Sequence, residues 1–411
     1  MKNLISFCAI FAISVLTSVA ANNMFCRSFI IDKKTPVYSA DTGYGYDFTQ
    51  LKGSTYFSVK VPDGIYRVTV QTNATTVRAE SRRLFVHNAA IKKGKMAEFA
   101  FMVTKRSPEY VDGKGKTQRV KLKEREVTKL DWDDKLTMEF CGTAPRIKSI
   151  TVEQVDSVPV VYLCGNSTVT DQEYEPYTSW GQTFPVFLDN GIAVANYAES
   201  GETAEGFIQR GRLAHIEQHL KAGDYLFVEF GHNDQKADKR PGNGAYYGFM
   251  HQMKYFLDAA RKAGATLVLC TPMCRLMYDA DGKIKSTHAD YPDAIRQMAD
   301  RENVALVDLQ LSTKQMFEAM GEATAVHALT FYPANTYPNQ PKELADRTHP
   351  NPFGAYEISK LVVQAIIDLH LPLAEHVLPS WTTFSPQQPD DWQQFVWPAS
   401  PFVEVTKPEG N

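Results

Sequence analysis

Two hydrophobic rhythms divide the chain near residue 157. Before it, short segments alternate apolar and polar residues with a period of two: TYFSVKV, IYRVTVQT, RRLFVH, EFAFMVTKR, KLTMEFCG and RIKSITVEQV. Turn formers such as Pro62-Asp63-Gly64 and Asp112-Gly113 separate them, and this spacing predicts an antiparallel β-sandwich over residues 22–157. After it, the strand-like runs VPVVYLC, GIAVANY, YLFVEF, ATLVLCTP and VALVDL are apolar almost throughout, as strands covered on both faces must be. They alternate with the helical patterns TFPVFLD, AEGFIQRGRLAHIEQHL, YYGFMHQMKYFLDAARKAG, AIRQMADREN and STKQMFEAMG. Five such repeats with right-handed crossovers predict a three-layer α/β/α domain around a five-stranded parallel sheet over residues 158–370. One more helix, PFGAYEISKLVVQAIIDLH, closes it behind the proline-bounded HPNPF. Residues 371–411 hold six prolines between Pro372 and Pro401, with Trp381, Trp392 and Trp397, so they form a tail that packs on the surface.

The first residues follow neither rhythm. Lys2, the apolar run 4–16 and the small residues Ser18-Val19-Ala20-Ala21 read as a secretory signal peptide over 1–21, too short for a membrane span. Cys8 lies inside that run, which argues against a lipid anchor. The mature chain is expected to be exported, to a periplasm or outside the cell, with no membrane span. Of the other cysteines, Cys164 and Cys270 end apolar strands and read as buried small hydrophobes. Cys26 and Cys141 would pair if the first and last sandwich strands adjoin.

Charge adds an asymmetry. Residues 22–157 carry 24 Lys and Arg against 16 Asp and Glu, whereas residues 158–411 carry 19 against 31. A basic front half suits a polyanionic partner, and for an exported protein an acidic polysaccharide fits better than nucleic acid. The other reading is that 92–95 and 114–125 are solvated hairpins. His215 and His219 in HIEQH have the i, i+4 spacing of a metal pair, but the acid stands at the third position and two surface histidines account for them better. No phosphate-binding glycine loop and no G-x-S-x-G elbow occurs, so nucleotide chemistry and the ordinary α/β-hydrolase arrangement lack support.

Ser167, in VPVVYLCGNSTVT, stands at the carboxyl edge of the first parallel strand, where open α/β sheets place ligands. Alone it is a turn or cap residue as readily as a nucleophile. Three further blocks follow later apolar segments: AESG with Gly201, GHND with Asn233, and DRTH with Asp346 and His349. In this order the four blocks resemble the SGNH or GDSL hydrolase superfamily, and within it the rhamnogalacturonan acetylesterases, over roughly residues 158–370. The stretch YSADTGYGYDF before VPDGIYRVTV is similar to the galactose-binding-like jelly rolls that precede such domains.

The resemblance implies a cofactor-free carbohydrate esterase that removes acetyl groups from pectic polysaccharide. Ser167 would be the nucleophile, His349 the base and Asp346 its orienting carboxylate. The amides of Ser167 and Gly201 and the side chain of Asn233 would form the oxyanion hole. Trp180, in a W-G-Q shared with similar esterases, would shape the floor of the substrate pocket or simply pack, and His232 would contact substrate or be a structural histidine tied to a neighbouring loop. Asn166 departs from the family's usual Asp before the serine, which leaves pH optimum and rate open. Two alternatives remain: a pectin methylesterase or other glycan esterase, and a carbohydrate-binding protein with a dead hydrolase domain.

Overall fold

The computed structural model describes residues 24–237 and 243–409, so the signal peptide expected at 1–21 lies outside the described residues. Front and rear halves fold as their rhythms require. In the front half a four-stranded antiparallel sheet runs in the order Cys26–Ile30, Ile147–Val155, Gly64–Thr72, Ala97–Lys105. A five-stranded one runs Tyr44–Asp47, Ser54–Lys60, Lys135–Cys141, Val77–Ala79, Arg83–Val86. Alternate residues of each enter one shared core, with Val68, Val70, Ile150 and Val152 from the first sheet and Phe57, Val59, Leu136 and Phe140 from the second. Each such fully buried side chain contributes about 1.5–3 kcal/mol over leaving it in water. Cys26 and Cys141 do not pair: Cys26 is exposed opposite Glu153 in one sheet, while Cys141 is buried opposite Ser54 in the other. The first and last strands do adjoin, but the last strand is Ile147–Val155, which lacks a cysteine.

The rear half is a five-stranded parallel sheet in the order Ala193–Asn196, Val160–Cys164, Tyr225–Glu229, Thr266–Cys270, Ala305–Val307. The first of these strands in chain order, Val160–Cys164, lies second in the sheet with a neighbour on either side, and its side chains feed two cores in turn. Val161 and Leu163 join the helix Pro352–Asp368 on one face, and Val160, Tyr162 and Cys164 join the helix Met250–Ala263 on the other. The long helical pattern expected over 204–220 is two short helices, Ala204–Gln209 and Arg212–Glu217, because Gly211 takes the left-handed conformation (φ 81°) between them. This turn carries His215 inward. It is buried, hydrogen-bonded to the Tyr197 hydroxyl (3.0 Å) and the Ser107 carbonyl (2.9 Å), while His219 stays exposed. The two are therefore not a surface pair, and burial pushes the His215 imidazole down to about 4.

Much of the front half's excess positive charge is used internally. Arg83 is fully buried between Asp171 (2.6 Å) and Asp131 (3.0 Å), Arg82 meets Glu175 (2.7 Å), and Arg106 donates to the Asn196 carbonyl (2.6 Å). The tail binds both halves as well: Trp392 stacks on His327, Trp397 donates to Glu175 (2.9 Å) beneath Arg78, and Phe402 packs on Phe48 and Tyr56. No helix among the described residues is long and apolar enough to cross a membrane.

Candidate active site

Three neighbouring strands deliver the site. Ser167 follows Val160–Cys164, Gly201 follows Ala193–Asn196 on one side, and Asn233 follows Tyr225–Glu229 on the other. A strand order that reverses at Val160–Cys164 opens a crevice there, which is where such sheets bind ligands. Two backbone bonds tie the loops together: Tyr197 N–H donates to Leu163 and Glu199 N–H to Gly165. Within the Ser167 loop, Gln172 donates to the Ser167 carbonyl at 2.7 Å.

The fourth component arrives on an antiparallel hairpin, Leu329–Tyr332 with Leu344–Pro350, that the apolar pattern gives no hint of. Asp346 and His349 lie on the Leu344–Pro350 strand. Residues three apart on a regular strand face opposite ways, but the pairing slips here, from Thr330 opposite Asp346 to Leu329 opposite Pro350. That irregularity brings the two side chains together.

The result is a continuous hydrogen-bonded chain. His349 Nε2 lies 2.9 Å from Ser167 Oγ, and His349 Nδ1 lies 2.7 Å from Asp346 Oδ2. The other oxygen, Asp346 Oδ1, accepts from the backbone N–H groups of Thr348 (2.8 Å) and His349 (3.1 Å). Burial works to raise the Asp346 carboxyl, but these bonds and the facing imidazole leave it below the ordinary value. Burial holds the His349 imidazole below its ordinary 6.5, with Asp346 opposing that shift and Lys407 and Lys236 adding to it. The imidazole is thus neutral at neutral pH and stays so further into acid than a free histidine. On a soluble acetyl ester, the acid limb of kcat/KM is expected to reach half its plateau below pH 6.5. A half-maximum above pH 7 would contradict the burial argument.

On the oxyanion side, Gly201 has φ 75°, a conformation that favours glycine. Asn233 donates one amide hydrogen to the Glu202 carbonyl (3.0 Å), which fixes its side chain one residue from Gly201. Asn166 keeps the work expected of an Asp: its Oδ1 accepts from the Thr168 N–H (3.1 Å) and lies 3.0 Å from the Thr168 hydroxyl.

Trp180 and His232 are placed differently. Trp180 is enclosed in the core beneath the nucleophile loop, its Nε1 donating to Glu229 at 2.6 Å. Burial pushes that Glu229 carboxyl up to about 7. His232 is buried between His288 (Nδ1 to Nε2, 2.9 Å) and Arg275 (3.3 Å), so it braces the Asn233 loop. A cleft of about 740 Å³ lined by Phe85, Phe99, Tyr356 and Trp381 lies at the seam of the two halves and contains none of the triad.

Residues 162–356 match the GDSL-like Lipase/Acylhydrolase family. The rhamnogalacturonan acetylesterase RhgT of Bacillus subtilis (strain 168) is 37% identical over 220 residues, 53% of this chain and 94% of the relative. This chain belongs to that family. It is a serine carboxylic ester hydrolase, a carbohydrate esterase of the SGNH type. Two more relatives from the same organism are similar to this esterase: the probable rhamnogalacturonan acetylesterase YesY, at 34% over 53% of the chain and 97% of the relative, and the uncharacterized esterase YxiM, at 27% over 85% of the chain and 86% of the relative. The YxiM match, at 85% of the chain, is long enough that it must extend into the front half.

Proposed function

We propose that this esterase removes O-acetyl groups from rhamnogalacturonan, the acidic backbone of pectin, after export, through an acyl-enzyme on Ser167. The observation that carries the mechanism is the unbroken chain Ser167 Oγ, His349 Nε2, His349 Nδ1, Asp346 Oδ2 at 2.9 and 2.7 Å. Ser167 Oγ attacks the acetyl carbonyl as its proton passes to His349 Nε2. The oxyanion then faces the N–H groups of Ser167 and Gly201 and the Asn233 amide. Collapse expels the sugar alkoxide, which takes the proton from His349. Water enters, gives a proton to the same nitrogen and releases acetate, restoring Ser167. Asp346 stays ionised throughout and steadies the imidazolium. The substrate rests on the acetylesterase relatives and on the basic front half.

Acetate appearing on incubation with acetylated rhamnogalacturonan supports this reading. Methanol from methyl-esterified pectin in its place would move the chain to the methylesterases, and neither product would end it. Asn233→Ala is expected to lower kcat by about 10²–10³ with little change in KM, since its donor acts on charge that develops only in the transition state. An equal change in KM alone would place Asn233 in substrate binding instead.

A further inference from the structure

Two residues distant in sequence crowd the oxyanion-hole glycine. A Cβ built on Gly201 would lie 3.0 Å from the ammonium of Lys123 and 3.0 Å from Cβ of Glu409, the first from the front half and the second from the tail. Lys123 Nζ donates to the Ser200 carbonyl (2.6 Å) and to Glu409 Oε2 (2.8 Å), and lies 3.5 Å from Glu202. Its position is built. The Lys123 N–H donates to Glu126 Oε2 (2.8 Å), and Glu126 is fully buried on Arg212. Arg125 stands beside it, donating to the same Ser200 carbonyl (3.0 Å). Toward the other end of the site Lys407 approaches Asp346 (3.9 Å), and Pro408 between Lys407 and Glu409 is buried. The segment 407–409 therefore reaches from Asp346 to Gly201, while Ser167 is only 1% exposed.

An acyl group presented to Ser167 and Gly201 must place the rest of its sugar chain within reach of what borders Gly201. The group that occupies that border now is a carboxylate, on a lysine. We propose that Lys123 is a specificity-determining residue that binds the carboxylate of a uronate next to the acetylated sugar, and that the Glu409 side chain holds this position until substrate displaces it. This deepens the acidic-polysaccharide reading and rests on it. It also gives the front half a part in substrate choice: Lys123 and Arg125 come from the basic stretch 114–125 and donate to the Ser200 carbonyl beside Gly201. Substrate carboxylate replaces Glu409 carboxylate on the same ammonium, so charge is conserved at the position and selectivity against neutral chains follows from leaving the lysine without its partner.

The test compares one acetylated rhamnogalacturonan oligosaccharide with its carboxyl-reduced counterpart, in which each uronate is a neutral hexose, on the full chain. The parent enzyme is expected to favour the acidic form in kcat/KM by about 10-fold or more, the range of one charge-assisted hydrogen bond. Lys123→Met is expected to collapse that ratio to near one, and Glu409→Gln to lower KM for the acidic form by removing its competitor. Added salt should raise KM for the acidic form alone. If both forms are deacetylated equally by the parent enzyme, or if Lys123→Met slows both by the same factor, Lys123 only braces the Ser200 loop and the proposal is overturned. Failure to deacetylate either form would instead overturn the substrate reading above, so the two failures are distinct.

Discussion

Ser167→Ala is expected to lower kcat on any acetyl ester by about 10⁶ while leaving the protein folded. The size follows from what is lost. Without Oγ there is no covalent intermediate, and His349 and Asp346 have no hydroxyl to activate, so the whole Ser167–His349–Asp346 chain is disabled at once. The donors near Gly201 and Asn233 persist, which leaves a residual rate above that of water. For the same reason His349→Ala and the double variant should fall to nearly the same level as Ser167→Ala. A cumulative loss, each substitution multiplying the other, would mean that the two residues act independently and would contradict the geometry. Circular dichroism and the thermal midpoint separate this loss from unfolding, because removing a small hydroxyl at a loop leaves the core untouched.

Arg83→Met is expected to have the largest effect on stability, about 3–5 kcal/mol, read as a shift in the urea midpoint. The guanidinium is fully buried and is shared by Asp131 and Asp171, and it also donates to the Val194 carbonyl (3.3 Å). Removing it leaves two buried carboxylates side by side. Burial already lifts Asp171 to about 6 despite Arg83, with Asp131 pushing the same way. In the variant at least one of the pair must be protonated in the folded state and not in the unfolded one. Folding then takes up a proton, so the variant should lose stability as pH rises from 5 to 8. A pH-independent loss would show that Arg83 acts by packing alone. Because Arg83 comes from the front half and Asp171 from the rear, the same substitution tests whether the two halves unfold together.

Most of this architecture is legible in the chain, for physical reasons that also mark where legibility stops. The five parallel strands read as continuous apolar runs because both faces are covered, and Val160–Cys164 shows it with five consecutive buried residues. The front strands read by alternation, as Gly64–Thr72 does from its middle onward. The grouping of Ser167, Gly201, Asn233, Asp346 and His349 is legible from four short blocks in a fixed order, three of them at the ends of parallel strands.

The Leu344–Pro350 strand was not visible. LADRTHP has no alternation, and its pairing with Leu329–Tyr332 is irregular at the residues that matter. Arg83, Arg106 and Glu126 were also hidden, since a charged residue ordinarily reads as surface and only the opposing half supplies the partner that lets it be buried. Trp180 packs beneath the Ser167 loop, and what the chain does not reveal is Glu229, which holds the indole nitrogen. The tail's prolines and tryptophans gave its surface course, but nothing in them indicates that Lys407 and Glu409 reach Asp346 and Gly201.

Covalent capture of the nucleophile tests the central claim most directly. Intact mass of the purified protein after reaction with a fluorophosphonate probe, followed by peptide mapping, is expected to show one adduct, on Ser167, and none in His349→Ala under the same conditions. An unlabelled protein, or an adduct on a different serine, would contradict the account.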